Sequence, residues 1–103
     1  MSDASKAAIS FAVGRSRADL DRDGMLVLAL VKALEIVGEA GSKVSPETQS
    51  GLPGVPWRVI VGMRHRLVHM YFDIDLDLVW DTVEVDLPPL VTTLDAWLGR
   101  VST

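Results

Sequence analysis

The sequence WRVIVGMRHRLVHMYF, residues 57–72, sets the organisation of the chain. It contains both histidines, His65 and His69, the one tyrosine, Tyr71, and three of the ten basic residues, with no carboxylate between them. The next stretch, residues 73–95, contains seven acids and no base. Because the net charge of the chain is −4, a local charge of about +3 needs a structural or functional reason.

The composition predicts one domain, residues 1–103, with a small core. A hydrophobic content of 49% is high for so short a chain and favours self-association. The chain has no cysteine, which excludes disulfides and thiolate metal sites. The longest apolar run, residues 25–31, is far shorter than the roughly 20 residues that cross a bilayer. No secretion signal is visible at the amino terminus, so we expect a soluble, cytoplasmic protein without a membrane partner.

Hydrophobic periodicity predicts helices over residues 2–13 and 22–40, and the second is so apolar that it should pack on two sides. A third helix should begin at Pro56 and run to Tyr71. For residues 72–83, alternation favours a strand, whereas a 3.6-residue period and the capping residue Asp75 or Asp77 favour a helix. We choose the helix, because no second strand is apparent to pair with the first.

Asp86 should cap a last helix that begins with two prolines, Pro88 and Pro89. Together these elements predict an all-α bundle of four to five helices.

Arg64 is the unusual residue of the helix predicted over residues 56–71. On a helical wheel it lies in the middle of the apolar face, where an unpaired charge is costly. A salt bridge to Glu39 would resolve this cost. Alternatively, the apolar face is a dimer face, and Arg64 meets its own copy with a phosphate between them. His69 lies about 140° from Arg64 on that wheel, so a site shared across a dimer seam is the arrangement that brings both together.

These residues carry a family resemblance. The sequence VPWRVIVGMRHRLVHMYFDIDLDLVWDTVEVDLPPL, preceded by LEIVGEA, closely resembles the HepT-like branch of the HEPN superfamily over about residues 11–98. Its centre is the Arg-x4-His-x-Tyr motif, represented here by Arg64, His69 and Tyr71. The chain departs from the family pattern at His65, where the family usually has asparagine, and in a shorter amino-terminal helix.

The resemblance implies a homodimeric HEPN-like bundle that acts as a toxin. It implies a metal-independent endoribonuclease without cofactors, in which arginine and histidine pairs meet in a cleft between subunits. It also implies a partner, a minimal nucleotidyltransferase (MntA-like) antitoxin. In this family that enzyme transfers AMP groups to the motif tyrosine, which is Tyr71 in this chain.

The chemistry of the motif residues is consistent with RNA cleavage. The imidazole of His69 can act as general base or acid, since its ordinary pKa of about 6.5 leaves a useful base fraction near neutrality. The guanidinium of Arg64 can hold and stabilise the phosphate. His65 and Arg66 are candidate substrate contacts. The low pI of 4.9 restricts any RNA contact to this local cationic stretch.

Other functions are compatible with the same residues. His65, His69 and Asp73 have an i, i+4, i+8 spacing that could bind zinc, but no fourth ligand is evident, and we predict no metal site. The chain could instead be a catalytically inactive dimeric partner of the nucleotidyltransferase, a function that the replacement of asparagine by His65 favours. We interpret the tryptophans as core or interface residues: Trp57, Trp80 and Trp97.

Overall fold

A computed structural model describes residues 1–63, 66, 68–70 and 73–101, and the side chains of residues 1–63, 66 and 74–99. Helices make up most of this part of the chain, so the predicted all-α class is confirmed. The elements, in chain order, are α1 (Ser2–Ala12), a 3₁₀ helix (Arg17–Asp21), α2 (Gly24–Ser42), α3 (Pro46–Gly51), α4 (Trp57–Val61), β1 (Val68–Met70), β2 (Asp73–Ile74), α5 (Leu76–Asp81), a π-helical turn (Thr82–Asp86) and α6 (Leu87–Val101).

Helix α2 is the central element of the bundle. Asp23 caps it, because its carboxylate accepts a hydrogen bond from the backbone N–H of Leu26 at 3.1 Å. Its residues Leu30, Leu34 and Val37 are fully buried. The helix packs against α1 on one side and α4 on another, as its wide apolar stripe predicts.

The prediction of one helix from Pro56 to Tyr71 is wrong. Helix α4 ends at Val61, and Gly62 is its C-cap residue. The backbone is helical again at Met63 and Arg66, but residues 68–70 form strand β1, which pairs with β2 in an antiparallel hairpin. The helical wheel therefore cannot be extended to His69. The premise that no second strand exists was also wrong, since β1 is the partner of the strand at Asp73–Ile74.

The predicted break before the last helix is also absent. Helix α5, capped by Asp75 as predicted, continues through the π-helical turn directly into α6. The backbone N–H of Leu87 donates to the carbonyl of Thr82, five residues earlier. This wider turn lets Pro88 and Pro89, which lack an N–H, lie in the first turn of α6 without ending the helix. Asp86 is consequently part of the turn and caps no separate helix.

One ion pair connects the 3₁₀ helix to the segment after the hairpin. The Nε of Arg17 donates to Asp77 of α5 at 2.7 Å, and its guanidinium also lies 3.3 Å from Asp21. The buried apolar residues of α1, α2, α4, α5 and α6 belong to one core cluster. None of the helices in the described part of the chain is long and apolar enough to cross a membrane.

Candidate functional site

The residues of the Arg-x4-His-x-Tyr motif fall largely outside the described residues. Arg64, His65 and Tyr71 lie outside them, and His69 is described by its backbone alone, in β1. Arg66 is exposed, and its backbone N–H donates to the carbonyl of Gly62 at 3.3 Å. The meeting of Arg64 and His69 across a dimer seam thus remains a prediction, as does the role of Tyr71.

The residue before Arg64 is firmly anchored. Met63 is 1% exposed, and its sulfur lies 4.0 Å from the hydroxyl of Thr82 in the π-helical turn. Gly38 of α2 faces the same segment: a Cβ on Gly38 would lie 2.9 Å from the carbonyl oxygen of Ile60 and 3.6 Å from the Cβ of Met63. Helix α2 and the π-helical turn therefore hold the backbone that leads into the motif.

The backbone at His69 is irregular. Val68 pairs with Ile74 and Met70 pairs with Asp73, so the register of the ladder shifts between Val68 and Met70. Such irregularities occur often beside active sites, where they redirect one side chain. The sequence did not predict this strand irregularity, because a short apolar run fits a helix as well as a strand.

The acid suggested as a partner for Arg64 lies on an exposed side of α2. Glu39 forms an ion pair with Lys43 at 3.6 Å, one turn further along the helix. It also lines a groove of about 240 Å³ together with Lys32, Glu35 and Ile36. The salt bridge between Arg64 and Glu39 remains a prediction.

A second groove lies at the start of α4, where sequence reasoning expected only core or interface contacts. It has a volume of about 450 Å³ and is lined by Ser42, Gln49, Trp57, Arg58 and Val61. The indole N–H of Trp57 donates to the carbonyl oxygens of Gln49 and Leu52, both at 3.1 Å. The sequence signal for this groove was the tripeptide PWR, residues 56–58, because it contains an aromatic residue directly followed by a cationic one.

Most described cations are neutralised by carboxylates of their own chain. Lys6 pairs with Asp95, and Arg17 pairs with Asp77. The pKa of Asp19 lies below its ordinary value, chiefly because the Ser16 N–H donates to it and then because of Arg22. The pKa of Asp23 is lowered chiefly by the Leu26 N–H and then by Arg15. The pKa of Asp95 is lowered chiefly by the Ser2 hydroxyl and then by Lys6.

Arg58 and Arg66 differ from these cations. Both are exposed, and neither forms an ion pair with any residue in the described part of the chain. Both come from the cationic stretch of residues 57–72. Within that same part of the chain, no three His, Asp or Glu side chains are grouped so that they could hold a metal ion.

The sequence profile of the ribonuclease HepT-like family matches residues 1–96. The chain belongs to this family. This HepT-like chain is also similar to individual curated proteins. A protein named "Putative RNase" from Methanocaldococcus jannaschii is 41% identical over 66 residues, which are 64% of this chain and 61% of the relative.

Two further relatives are also named as ribonucleases. A "Putative RNase" from Caldanaerobacter subterraneus subsp. tengcongensis is 38% identical over 75% of this chain and 69% of its own length. A "Probable ribonuclease HepT" from Thermococcus cleftensis is 40% identical over 60% of this chain and 56% of its own length. The HepT-like chain thus spans between about half and two thirds of the length of these relatives. No solved structure matches it significantly.

Proposed function

We propose that this chain is a metal-independent endoribonuclease that acts as the toxin of a toxin–antitoxin pair. The observation that carries the proposal is the family match over residues 1–96 together with the motif residues Arg64, His69 and Tyr71 at the family spacing. Arg58 and Arg66 are exposed and form no ion pair within the part of the chain that the structure describes. They support an anionic substrate, because a chain with net charge −4 has little other attraction for RNA.

The proposed reaction uses the 2′-hydroxyl of RNA as nucleophile. The imidazole of His69 takes its proton, the 2′-oxygen attacks the adjacent phosphorus, and the bond from phosphorus to the 5′-oxygen breaks. The leaving oxygen receives a proton from the His69 of a second subunit, in its imidazolium form. Arg64 stabilises the negative charge of the phosphorane. The products are a 2′,3′-cyclic phosphate and a 5′-hydroxyl.

A homodimer is part of this proposal. Helix α2 exposes a stripe on which apolar and charged side chains are mixed: Met25 is 83%, Leu28 65% and Ile36 45% exposed, and Lys32, Glu35 and Glu39 lie on the same side. Residues 25, 28 and 36 recur at three- and eight-residue spacing, which places them on one side of a helix. A second copy of the chain would remove the apolar side chains of this stripe from water.

Regulation by a minimal nucleotidyltransferase is the remaining part of the proposal. AMP attached to the phenolic oxygen of Tyr71 would add bulk and negative charge to the motif and would occupy the place of an RNA phosphate. Co-expression with a minimal nucleotidyltransferase of the MntA type, followed by mass spectrometry, tests this point. We expect a mass increase of one AMP group that is absent in Tyr71→Phe; an increase that survives this substitution contradicts it.

The decisive experiment is cleavage of RNA by the purified chain and its variants. We expect cleavage products ending in a 2′,3′-cyclic phosphate, and a loss of at least about 100-fold in rate in His69→Ala, in line with typical general acid–base contributions. Arg64→Ala should cause a similar loss. Circular dichroism and light scattering must show that both variants remain folded and dimeric. Wild-type cleavage rates in both variants would refute the assignment.

A second candidate function has a specific observation in its favour. His65 stands where the family usually has asparagine, which would suit a catalytically inactive dimeric partner of the nucleotidyltransferase. In that case expression of the chain alone should be harmless and the purified protein should leave RNA intact. His65→Asn should then restore cleavage.

A further inference from the structure

The groove at the start of α4 combines two groups that recognise nucleotides. An indole ring, Trp57, and a guanidinium, Arg58, line the same groove of about 450 Å³, and its other lining residues are Ser42, Gln49 and Val61. Bases stack on aromatic rings, and guanidinium groups bind phosphate through paired hydrogen bonds. The groove therefore contains one group that can bind a base and one that can bind a phosphate.

The indole of Trp57 is fixed before any ligand arrives. Its N–H donates to two carbonyl oxygens, those of Gln49 and Leu52, each at 3.1 Å. The Gln49 amide in turn donates to the carbonyl oxygen of Val44 at 3.2 Å, so the element that holds the ring is itself tied to the chain after α2. The ring is only partly buried. A base that stacks on it would not have to order the ring first, which favours binding.

Arg58 is available for an anion. Five other described cations pair with carboxylates of the chain, and Arg58 does not pair with any residue that the structure describes. An exposed arginine beside a fixed aromatic ring is the arrangement in which phosphate binding and base stacking reinforce one another.

We infer that the groove formed by Trp57, Arg58 and Gln49 is a nucleotide-binding subsite for single-stranded RNA. One base stacks on Trp57, and the adjoining phosphate binds Arg58. This inference rests on the proposed function, because the substrate would continue from this groove to Arg64. Residues 58–61 are helical, and three further residues lead to Arg64. The Cα atoms of Arg58 and Arg64 can therefore be no more than roughly 15 Å apart, a separation that a short run of nucleotides can bridge.

Binding of a non-cleavable RNA to the full chain tests the subsite. The probe is a fluorescent 2′-O-methyl oligonucleotide of about eight nucleotides, a typical site size for such proteins, which lacks the attacking hydroxyl. Fluorescence anisotropy should show that Trp57→Leu weakens binding by roughly 5- to 150-fold, the loss expected for one stacked base. Arg58→Ala should weaken it and should reduce the slope of log K against log salt by about 0.7, the value for one phosphate contact on a single strand.

Matched variants separate recognition from folding. Trp57→Phe, which keeps a ring, and Arg58→Lys, which keeps a charge, should retain most of the affinity. Arg22→Ala removes another exposed arginine, one that pairs with Asp19, and should bind as the wild type does. Wild-type affinity and salt dependence in both Trp57→Leu and Arg58→Ala would overturn the subsite.

A spectroscopic measurement keeps the inference testable if Trp57→Leu does not fold. The chain has three tryptophans, so incorporation of fluorotryptophan gives one ¹⁹F resonance for each, and Trp57→Phe identifies that of Trp57. The RNA probe should shift this resonance and leave those of Trp80 and Trp97 in place. A Trp57 resonance that does not move at saturating RNA overturns the subsite. This is also the result expected if the groove binds a protein partner and not RNA.

The cleavage assay distinguishes the two proposals. If unmodified RNA stays intact while the probe still shifts the Trp57 resonance, the subsite stands and the nuclease proposal fails. If RNA is cleaved in a manner that depends on Arg64 and His69, but Trp57→Leu and Arg58→Ala bind normally, the nuclease proposal stands and the subsite fails.

Discussion

Gly38 of α2 and Ile60 of α4 are in such close contact that no side chain fits between them. A Cβ at position 38 would lie 2.9 Å from the carbonyl oxygen of Ile60, a backbone atom that cannot rotate away. The same Cβ would lie 3.6 Å from the Cβ of Met63, the residue before Arg64. The close approach of α2 and α4 therefore depends on glycine at this position.

Gly38→Ala should destabilise the protein by about 1–3 kcal/mol, the usual cost of an overpacked core, despite the higher helix propensity of alanine. Chemical denaturation measures the free energy of unfolding. Gly99→Ala is the matched control, because a Cβ there would meet nothing within 4 Å; it should be neutral or stabilising by up to about 1 kcal/mol. Equal stability of Gly38→Ala and the wild type would contradict the proposed packing.

The N-cap of α2 should make the stability of the protein depend on pH. The pKa of Asp23 lies below its ordinary value of 3.8, mainly because of the Leu26 N–H and then because of Arg15. A lowered folded-state pKa stabilises the fold above about pH 4, and this contribution disappears as the pH falls through the folded-state pKa.

Asp23→Asn keeps a capping acceptor but removes the titrating charge. We expect the urea midpoint of the wild type to fall more steeply than that of Asp23→Asn between about pH 5 and pH 2. Asp3→Asn provides a control, since Asp3 is an exposed carboxylate of α1. Parallel pH profiles for the wild type and Asp23→Asn would show that the Asp23 charge contributes nothing.

Two buried hydroxyls should respond in opposite ways to removal. Ser5 is fully buried, and its hydroxyl has no hydrogen-bond partner within the described structure, whereas the Thr82 hydroxyl donates to the carbonyl of Leu78 at 2.6 Å. Ser5→Ala should therefore be neutral or stabilising by up to about 1 kcal/mol. Thr82→Val should cost about 1 kcal/mol. Thermal and urea unfolding check both values; a clear loss of stability in Ser5→Ala would point to a partner for its hydroxyl.

The exposed stripe of α2 should be part of the homodimer interface. Leu28→Glu places a charge in this stripe and should give a folded monomer in size-exclusion chromatography with light scattering. Val85→Glu is the matched control, because Val85 of the π-helical turn is 64% exposed and Leu28 is 65% exposed. We expect Val85→Glu to remain dimeric. A dimeric Leu28→Glu protein would place the interface elsewhere.

Removal of metal ions should not affect cleavage. The proposed reaction uses an imidazole as base and a guanidinium to stabilise charge, so EDTA should leave the rate of RNA cleavage unchanged. The assay is gel analysis of a labelled RNA with and without EDTA, followed by addition of Zn²⁺ or Mg²⁺. Loss of cleavage in EDTA and its recovery with Zn²⁺ would instead support the site formed by His65, His69 and Asp73.

Sequence patterns predicted α2 and the cap of α5 well, because these features depend on residues close together in the chain. Asp75 and the apolar stripe of α2 are examples. The same patterns failed at Val68, where β1 begins inside a stretch that also fits a helical period. They failed again at Pro88 and Pro89, because the π-helical turn that accommodates these prolines has no simple sequence signal.

By itself the sequence determined the helical class, the cationic stretch of residues 57–72 and the family motif, since periodicity, charge and residue spacing are local properties of the chain. The tertiary structure alone decided that β1 pairs with β2, that Gly38 must lack a side chain and that Arg58 forms no ion pair with any residue of the described part of the chain. The contact between α2 and α4 and ion pairs such as Lys6–Asp95 depend on partners distant in sequence, which only the folded chain brings together. The strands of the hairpin are close in sequence, but their residues fit a helical pattern equally well, so the pattern did not decide between the two structures.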